Sequence, residues 1–185
     1  MTDRDVYTVE VAGLTRHFPL FEVVPGVRIA IFNMLGDTFV VKGAAAALAE
    51  KLKGNGSSVL VTAEAKSIPL IYEMSALMGL PYIVLRKSYK TYMGNALSAD
   101  TVSITTGKKQ TLYLDEKDAA FINGKNVILI DDVISTGSTL NGLWDMMDVA
   151  NAEVICEMAV FTEGGEDDWP DVFALGHLPI FKDAD

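Results

Sequence analysis

With 185 residues, half of them hydrophobic, the chain is long enough to bury a core and suits a single domain over 1–185. A formal net charge of -10 argues against a nucleic-acid binder, whose surface must neutralise phosphates. No apolar run of about eighteen residues occurs, and the start (Met1, Thr2, Asp3, Arg4, Asp5) carries acids where a signal peptide carries bases, so a soluble, cytoplasmic protein with no membrane partner is expected.

Residues 1–36 hold Gly13, Pro19, Pro25, Gly26 and Gly36 among short apolar runs, which predicts an irregular cap. Asp37 or Thr38 then caps a helix over residues 39–52, favoured by the alanines at 44–47. VLVTA at 59–63 is short, β-branched and bounded by a turn cluster at 54–58, so it predicts a buried strand. A helix over 66–78 follows, with Pro69 in its first turn and Gly79 as its stop. PYIVL at 81–85 is a second strand, and the polar residues 88–100 predict a loop. Residues 102–105 and 111–114 pair as a hairpin around 107–110.

The third strand covers 127–130, and a helix from about Ser138 places Leu140, Leu143, Trp144 and Met147 on one face. The fourth strand, 154–161, contains the single cysteine, Cys156, which reads as a core thiol with no disulfide partner. An acidic loop at 164–168 and a short last strand within 172–181 complete the chain. Strands alternating with helices, the strands almost continuously apolar, indicate a parallel sheet covered on both faces. The expected fold is therefore α/β and doubly wound, with core 37–163 and cap contributions from 1–36 and 164–185.

The stretch VILIDDVISTGST, residues 127–139, carries the chemistry. A strand end is followed by two carboxylates, Asp131 and Asp132, and then by a loop of small residues opening a helix. Ligands of open α/β sheets sit beyond the carboxyl ends of the strands, and a helix N-terminus offers free N–H groups to a phosphate. Gly137 permits close backbone approach, while the hydroxyls of Ser135, Thr136, Ser138 and Thr139 add donors. Acids beside a phosphate cradle repel a phosphate alone, but they suit a ligand that also brings vicinal hydroxyls or a divalent cation. Ribose 5-phosphate fits that description. Neither GxxxxGK[ST] nor GxGxxG is present. Five bases, Arg86, Lys87, Lys90, Lys108 and Lys109, against one acid, Asp100, make residues 86–109 locally positive.

Residues 127–139 resemble the phosphoribosyl pyrophosphate signature of type I phosphoribosyltransferases. The resemblance extends over roughly residues 36–163. TAEAKSIPLIYEMSALMGLPYIVLRK (62–87) and VSITTGKKQTLYLDEKDAAFINGKNVILIDD (102–132) are similar to the corresponding segments of adenine and xanthine phosphoribosyltransferases. It implies Mg²⁺ as cofactor, phosphoribosyl pyrophosphate and a nucleobase as partners, and a homodimer.

It also implies residue roles. Asp131 and Asp132 would bind the ribose hydroxyls and assist the metal indirectly, through substrate or water. Ser135, Thr136, Gly137, Ser138 and Thr139 would wrap the 5-phosphate. Glu64, Ala65, Lys66 and Ser67 would contact pyrophosphate, with a cis non-proline bond at Glu64–Ala65 or beside it. Arg86 and Lys87, joined by Lys90, would neutralise the diphosphate, and residues 88–110 would form a lid with flex points at Gly94 and Gly107. Lys66 stands where the adenine enzymes carry Arg, and Thr105 and Thr106 replace their acidic-aromatic pair. Ser135 replaces the Asp of hypoxanthine-guanine enzymes.

Phe18, Phe21, Phe32, Trp169 and Phe173 are candidates to stack a base, although ordinary core packing is the commoner role for such rings. His17 and His177 read as hydrogen-bonded histidines, and Glu163 is one more residue that could face the site. The expected activity is transfer to an adenine-like purine in salvage, with xanthine or orotate as alternative bases. The reading from another class is a non-catalytic sensor of phosphoribosyl pyrophosphate.

Overall fold

The structure is a computed structural model, described for residues 4–54, 56–102, 109–165 and 167–182. Ten strands and four α-helices follow one another among the described residues. The strands are β1 Val6–Val11, β2 Leu14–Val24, β3 Val27–Ala30, β4 Val59–Ala63, β5 Tyr82–Leu85, β6 Leu97–Val102, β7 Lys109–Leu114, β8 Asn126–Ile134, β9 Glu153–Gly164 and β10 Val172–Lys182. The helices are α1 Thr38–Lys51, α2 Ile68–Met78, α3 Glu116–Ile122 and α4 Ser138–Val149.

Eight strands form one sheet in the order β1-β2-β3-β10-β9-β8-β4-β5. The five from β10 to β5 run parallel, and β1, β2 and β3 extend the sheet as an antiparallel meander. Every residue of β4 is buried, as are Val127, Ile128, Leu129 and Ile130 of β8. Such uniform burial requires cover on both faces. One face carries Leu60, Ile128 and Ile130 together with Leu48 of α1 and Ile71 and Met74 of α2. The other carries Val61, Leu129 and Leu143 with Met146 and Met147 of α4. β4 lies between β5 and β8, so the chain first winds outward to β5 and then returns across β4 to β8. That reversal makes the carboxyl ends of β4 and β8 the switch point where ligands of such sheets sit.

The expected irregular cap over 1–36 is largely regular among the described residues, with 6–11, 14–24 and 27–30 in β1, β2 and β3. Only 4–5, 31–36 and the two-residue turns between the strands lie outside a regular element. Val6–Val11 alternates exposed and less exposed positions, and the glycines mark hairpin turns. Ala12 and Gly13 have φ values of 51° and 75°, the geometry of a two-residue turn compatible with strand twist. β10 is eleven residues long and lies inside the sheet between β9 and β3. β6 begins at Leu97, inside the segment expected as a loop, while residues 103–108, with Thr105, Thr106, the expected flex point Gly107 and Lys108, lie outside the described residues. α3 was not expected at all. Asp115 caps it by accepting from the Lys117 N–H at 3.1 Å.

Asp37 is the N-cap of α1 and accepts from Val40 N–H at 3.1 Å. Arg16 of β2 grips the same carboxylate through Nε at 2.7 Å and Nη2 at 3.1 Å, tying the meander to the helix. Arg16's hydrogen bond holds the Asp37 carboxyl below the usual carboxylate range, against the smaller effect of burial.

Candidate functional site

A cavity of about 310 Å³ opens at the switch point. β4 delivers Ala63 and the turn of Glu64, Ala65, Lys66 and Ser67; β8 delivers Asp131, Asp132 and Val133. Ser135 and Thr139 come from the loop that opens α4, Lys87 from beyond β5, and Glu163 from the end of β9. The remaining wall is Ile29, Ala30, Ile31 and Phe32, at and just after the end of β3. Thr136, Gly137 and Ser138 line a small adjoining recess of about 30 Å³ together with Ser135 and Thr139.

Ser67 Oγ donates to Asp131 Oδ1 at 2.7 Å and accepts from the Asp132 N–H at 3.1 Å. Burial, and then the charge of Asp132, push the Asp131 carboxyl up to about 7, with Ser67 opposing both. Asp132 is 7% exposed; its Oδ2 has no hydrogen-bond donor and faces Lys66 Nζ at 3.8 Å. A buried acceptor without a donor is a costly feature that an incoming hydroxyl, water or cation would satisfy.

The Glu64–Ala65 peptide is cis. Glu64 accepts from the Lys87 N–H at 2.5 Å and from Arg86 Nε at 2.6 Å. Burial opposes the Glu64 charge, yet these two donors outweigh it and hold the carboxyl below its usual range. The Arg86 backbone is paired both ways with Tyr113 of β7, and its Nη1 donates to the Tyr92 hydroxyl at 3.3 Å. Arg86 and the exposed Lys90 therefore stand outside the cavity wall, which Lys66 and Lys87 reach.

The loop of residues 135–139 owes its shape to Gly137. Its φ of 72° lies in the left-handed region, and a Cβ there would be 2.4 Å from Trp169 Cη2. Thr101 of β6 donates from Oγ1 to the Ser138 carbonyl at 2.6 Å, so the hairpin is anchored on the start of α4. Gly94, expected as a flex point, has a φ of 60° and packs against the Glu116 carboxylate, which accepts from the Asn95 N–H at 2.9 Å.

Of the aromatic candidates, Phe32 alone lines the cavity. Phe18 packs edge-on to Phe161, Phe21 lies under the Arg4 guanidinium, Phe173 lies under Lys51, and Trp169 covers Gly137. His17 bonds Thr8, while His177 bonds Thr162 and the Gly164 carbonyl. Cys156 is half-buried, and burial pushes its thiol up. The lining residues missed in sequence were Ala63, Val133, Ile29, Ala30 and Ile31, the last three forming the wall at and just after the end of β3. The only signal of those three was the alternation leading into β3.

The family model of the phosphoribosyl transferase domain matches residues 33–173. The chain belongs to that family. This phosphoribosyltransferase domain is 29% identical over 132 residues to the purine biosynthesis transcriptional repressor PurR of Bacillus subtilis (strain 168), covering 71% of this chain and 46% of the relative. It is 34% identical over 109 residues to the hypoxanthine/guanine phosphoribosyltransferase of Methanocaldococcus jannaschii, covering 59% of this chain and 56% of that one. The domain thus spans about half the length of these curated relatives. Adenine phosphoribosyltransferase from Thermoanaerobacter pseudethanolicus has the same fold, with a TM-score of 0.72 at 17% identity over 86% of this chain and 95% of that chain. The Giardia lamblia enzyme complexed with 9-deazaadenine gives 0.71 at 16% identity over 93% of each chain. The mainly parallel, doubly wound sheet expected from sequence is the sheet of this family. Among the described residues, no helix is long and apolar enough to cross a membrane.

Proposed function

We propose that the chain transfers the 5-phosphoribosyl group of phosphoribosyl pyrophosphate to a purine base, releasing pyrophosphate and a nucleoside monophosphate for salvage. The observation that carries this reading is the placement of the Asp131–Asp132 pair and the 135–139 loop at one switch point, beside a cavity with two lysines. Asp131 and Asp132 accept from the ribose hydroxyls, and the backbone N–H groups and hydroxyls of residues 135–139 hold the 5-phosphate. The bond from the anomeric carbon to the pyrophosphate oxygen breaks as a base nitrogen bonds to that carbon, and the proton that nitrogen carried passes to the departing pyrophosphate or to water. Negative charge grows on the departing pyrophosphate, where Lys66 and Lys87 are placed to neutralise it. Arg86 acts from behind, orienting Glu64 and the turn that carries Lys66.

The donor set suits a hard cation, since it consists of carboxylate oxygens and includes Asp132 Oδ2, which has no hydrogen-bond donor. No group of three or more His, Cys, Asp or Glu able to hold a metal occurs among the described residues. Asp131 and Asp132 would therefore hold Mg²⁺ jointly with ligand oxygens and water, and bound there it would stabilise the diphosphate charge.

The test is pyrophosphate release from phosphoribosyl pyrophosphate and Mg²⁺ with adenine, hypoxanthine, guanine, xanthine or orotate added singly. Release with one base identifies the acceptor. The similarity to PurR supports a second reading, a sensor of phosphoribosyl pyrophosphate. Saturable binding with no release for any base would establish that reading instead.

A further inference from the structure

The Glu163 carboxylate ends β9, and β9 lies between β8 and β10. β10 in turn lies beside β3. Crossing the site along the sheet, the order is therefore the Asp131–Asp132 pair, then Glu163, then the apolar wall of Ile29, Ala30, Ile31 and Phe32. Each other acid in the cavity already has a partner. Glu64 has Arg86 and the Lys87 N–H, Asp131 has Ser67, and Asp132 has Lys66. Among the described residues, the Glu163 side chain makes no hydrogen bond or ion pair. His177 on β10 does not supply one, since its ring nitrogens are taken by the Thr162 hydroxyl and the Gly164 carbonyl, both at 3.1 Å. Burial pushes the Glu163 carboxyl up, with His177 and Lys66 opposing from a distance. A half-buried carboxylate beside an apolar slot, with no side-chain partner from the protein, is free to accept from a ligand that displaces water there.

Resting on the reading given under Proposed function, we propose that Glu163 is the specificity-determining residue for the base, accepting a hydrogen bond from an exocyclic amino group. The class of base is then one with an amine on the edge that meets β9. A 6-oxo base would set a second acceptor against the carboxylate, which costs more than a missing contact because both groups are desolvated. The ring itself lies against Ile29, Ala30, Ile31 and Phe32, which offer apolar surface and no competing polar side chain.

The experiment compares AMP with IMP, two nucleotides that differ at C6 by amino against oxo, by calorimetric titration of the wild-type chain and of Glu163→Gln. Ribose 5-phosphate is titrated against both proteins as the probe of the sugar-phosphate end. The wild type should prefer AMP by about tenfold or more, and Glu163→Gln, whose amide can donate to an oxo group, should erase or invert that preference. Equal affinity of the wild type for AMP and IMP overturns the proposal, as does a preference that survives in Glu163→Gln. If the variant does not fold, judged by its thermal melt, the wild-type comparison decides alone. Failure of the wild type to bind ribose 5-phosphate sinks the functional reading itself, and this inference with it. Ribose 5-phosphate binding without AMP discrimination sinks only the role of Glu163.

Discussion

Ser67 and Asp131 belong to different strand–helix units, yet the Ser67 hydroxyl donates to Asp131 Oδ1 at 2.7 Å and accepts from the neighbouring Asp132 N–H at 3.1 Å. One hydroxyl thus spans the switch point, holding the Asp131 carboxylate and the Asp132 backbone together. Ser67 is 1% exposed, so Ser67→Ala admits no water in place of the lost oxygen without rearrangement. The expected cost is about 1–2 kcal/mol in urea unfolding, together with a loss of about tenfold in affinity for phosphoribosyl pyrophosphate measured calorimetrically. An affinity equal to wild type would show that the pair orients itself without Ser67.

Asp131 gives a pH prediction with a definite sign. Its folded value is raised to about 7, whereas an unfolded aspartate titrates near about 3.9. The folded chain binds the extra proton between these values. The stability this supplies is complete below the unfolded value and is lost as pH rises through about 7. Asp131→Asn, which is neutral throughout, should raise the melting temperature of the ligand-free protein at pH 8 and flatten its decline between pH 5 and 8. For a chain of this size, each 1 kcal/mol is worth about 2–4 °C. The same variant should bind phosphoribosyl pyrophosphate at least about tenfold more weakly. Differential scanning fluorimetry across pH measures the first effect, and an unaltered slope refutes it.

Gly137→Ala meets two obstacles at once, a φ of 72° and the Trp169 ring 2.4 Å from the new methyl group. The variant should lose about 1–3 kcal/mol of stability and most of its affinity for ribose 5-phosphate. Pairing it with Trp169→Ala removes the collision but not the backbone strain, so stability should recover only in part. Full recovery in the double variant would show that the ring alone decides.

Lys66 is half-exposed and 3.8 Å from Asp132 Oδ2, so its pairing should contribute little to folding. Lys66→Ala should change the melting temperature slightly but, on the proposed function, weaken pyrophosphate binding about tenfold or more, because a point charge lining the cavity is removed. Binding that stays within a factor of about two would place the diphosphate elsewhere.

The reading of the middle of the chain from sequence succeeded for a physical reason. VILI in β8 is apolar without interruption and VLVTA in β4 is broken only by Thr62, and only a strand buried on both faces tolerates that. The N-terminal meander was misread because Gly13, Pro19 and Gly26 look like breakers. Two of them are hairpin turns, and Pro19 sits within β2 opposite Val6. α3 was missed because only Ile122 of its seven residues is buried, leaving almost no apolar period to detect. Trp169, weighed as a stacking ring, covers Gly137 because the chain after β9 turns back over the start of α4, a contact across about thirty residues that no local pattern encodes.

By itself, the order of residue types determined the buried strands β4 and β8, the starts of α1 and α4 and the run of two acids followed by small residues, since these depend on near neighbours along the chain. That β8 runs on to Ile134 and takes both acids into the strand did not follow from it. Tertiary structure alone decided which acids have partners. Glu64, Asp131, Asp132 and Glu163 are all carboxylates, yet only the fold sets Arg86, Ser67 and Lys66 against the first three and leaves the fourth facing the cavity. A carboxylate's charge state and its availability to a ligand depend on donors brought near by the fold, and those donors lie on strands and turns far away in sequence.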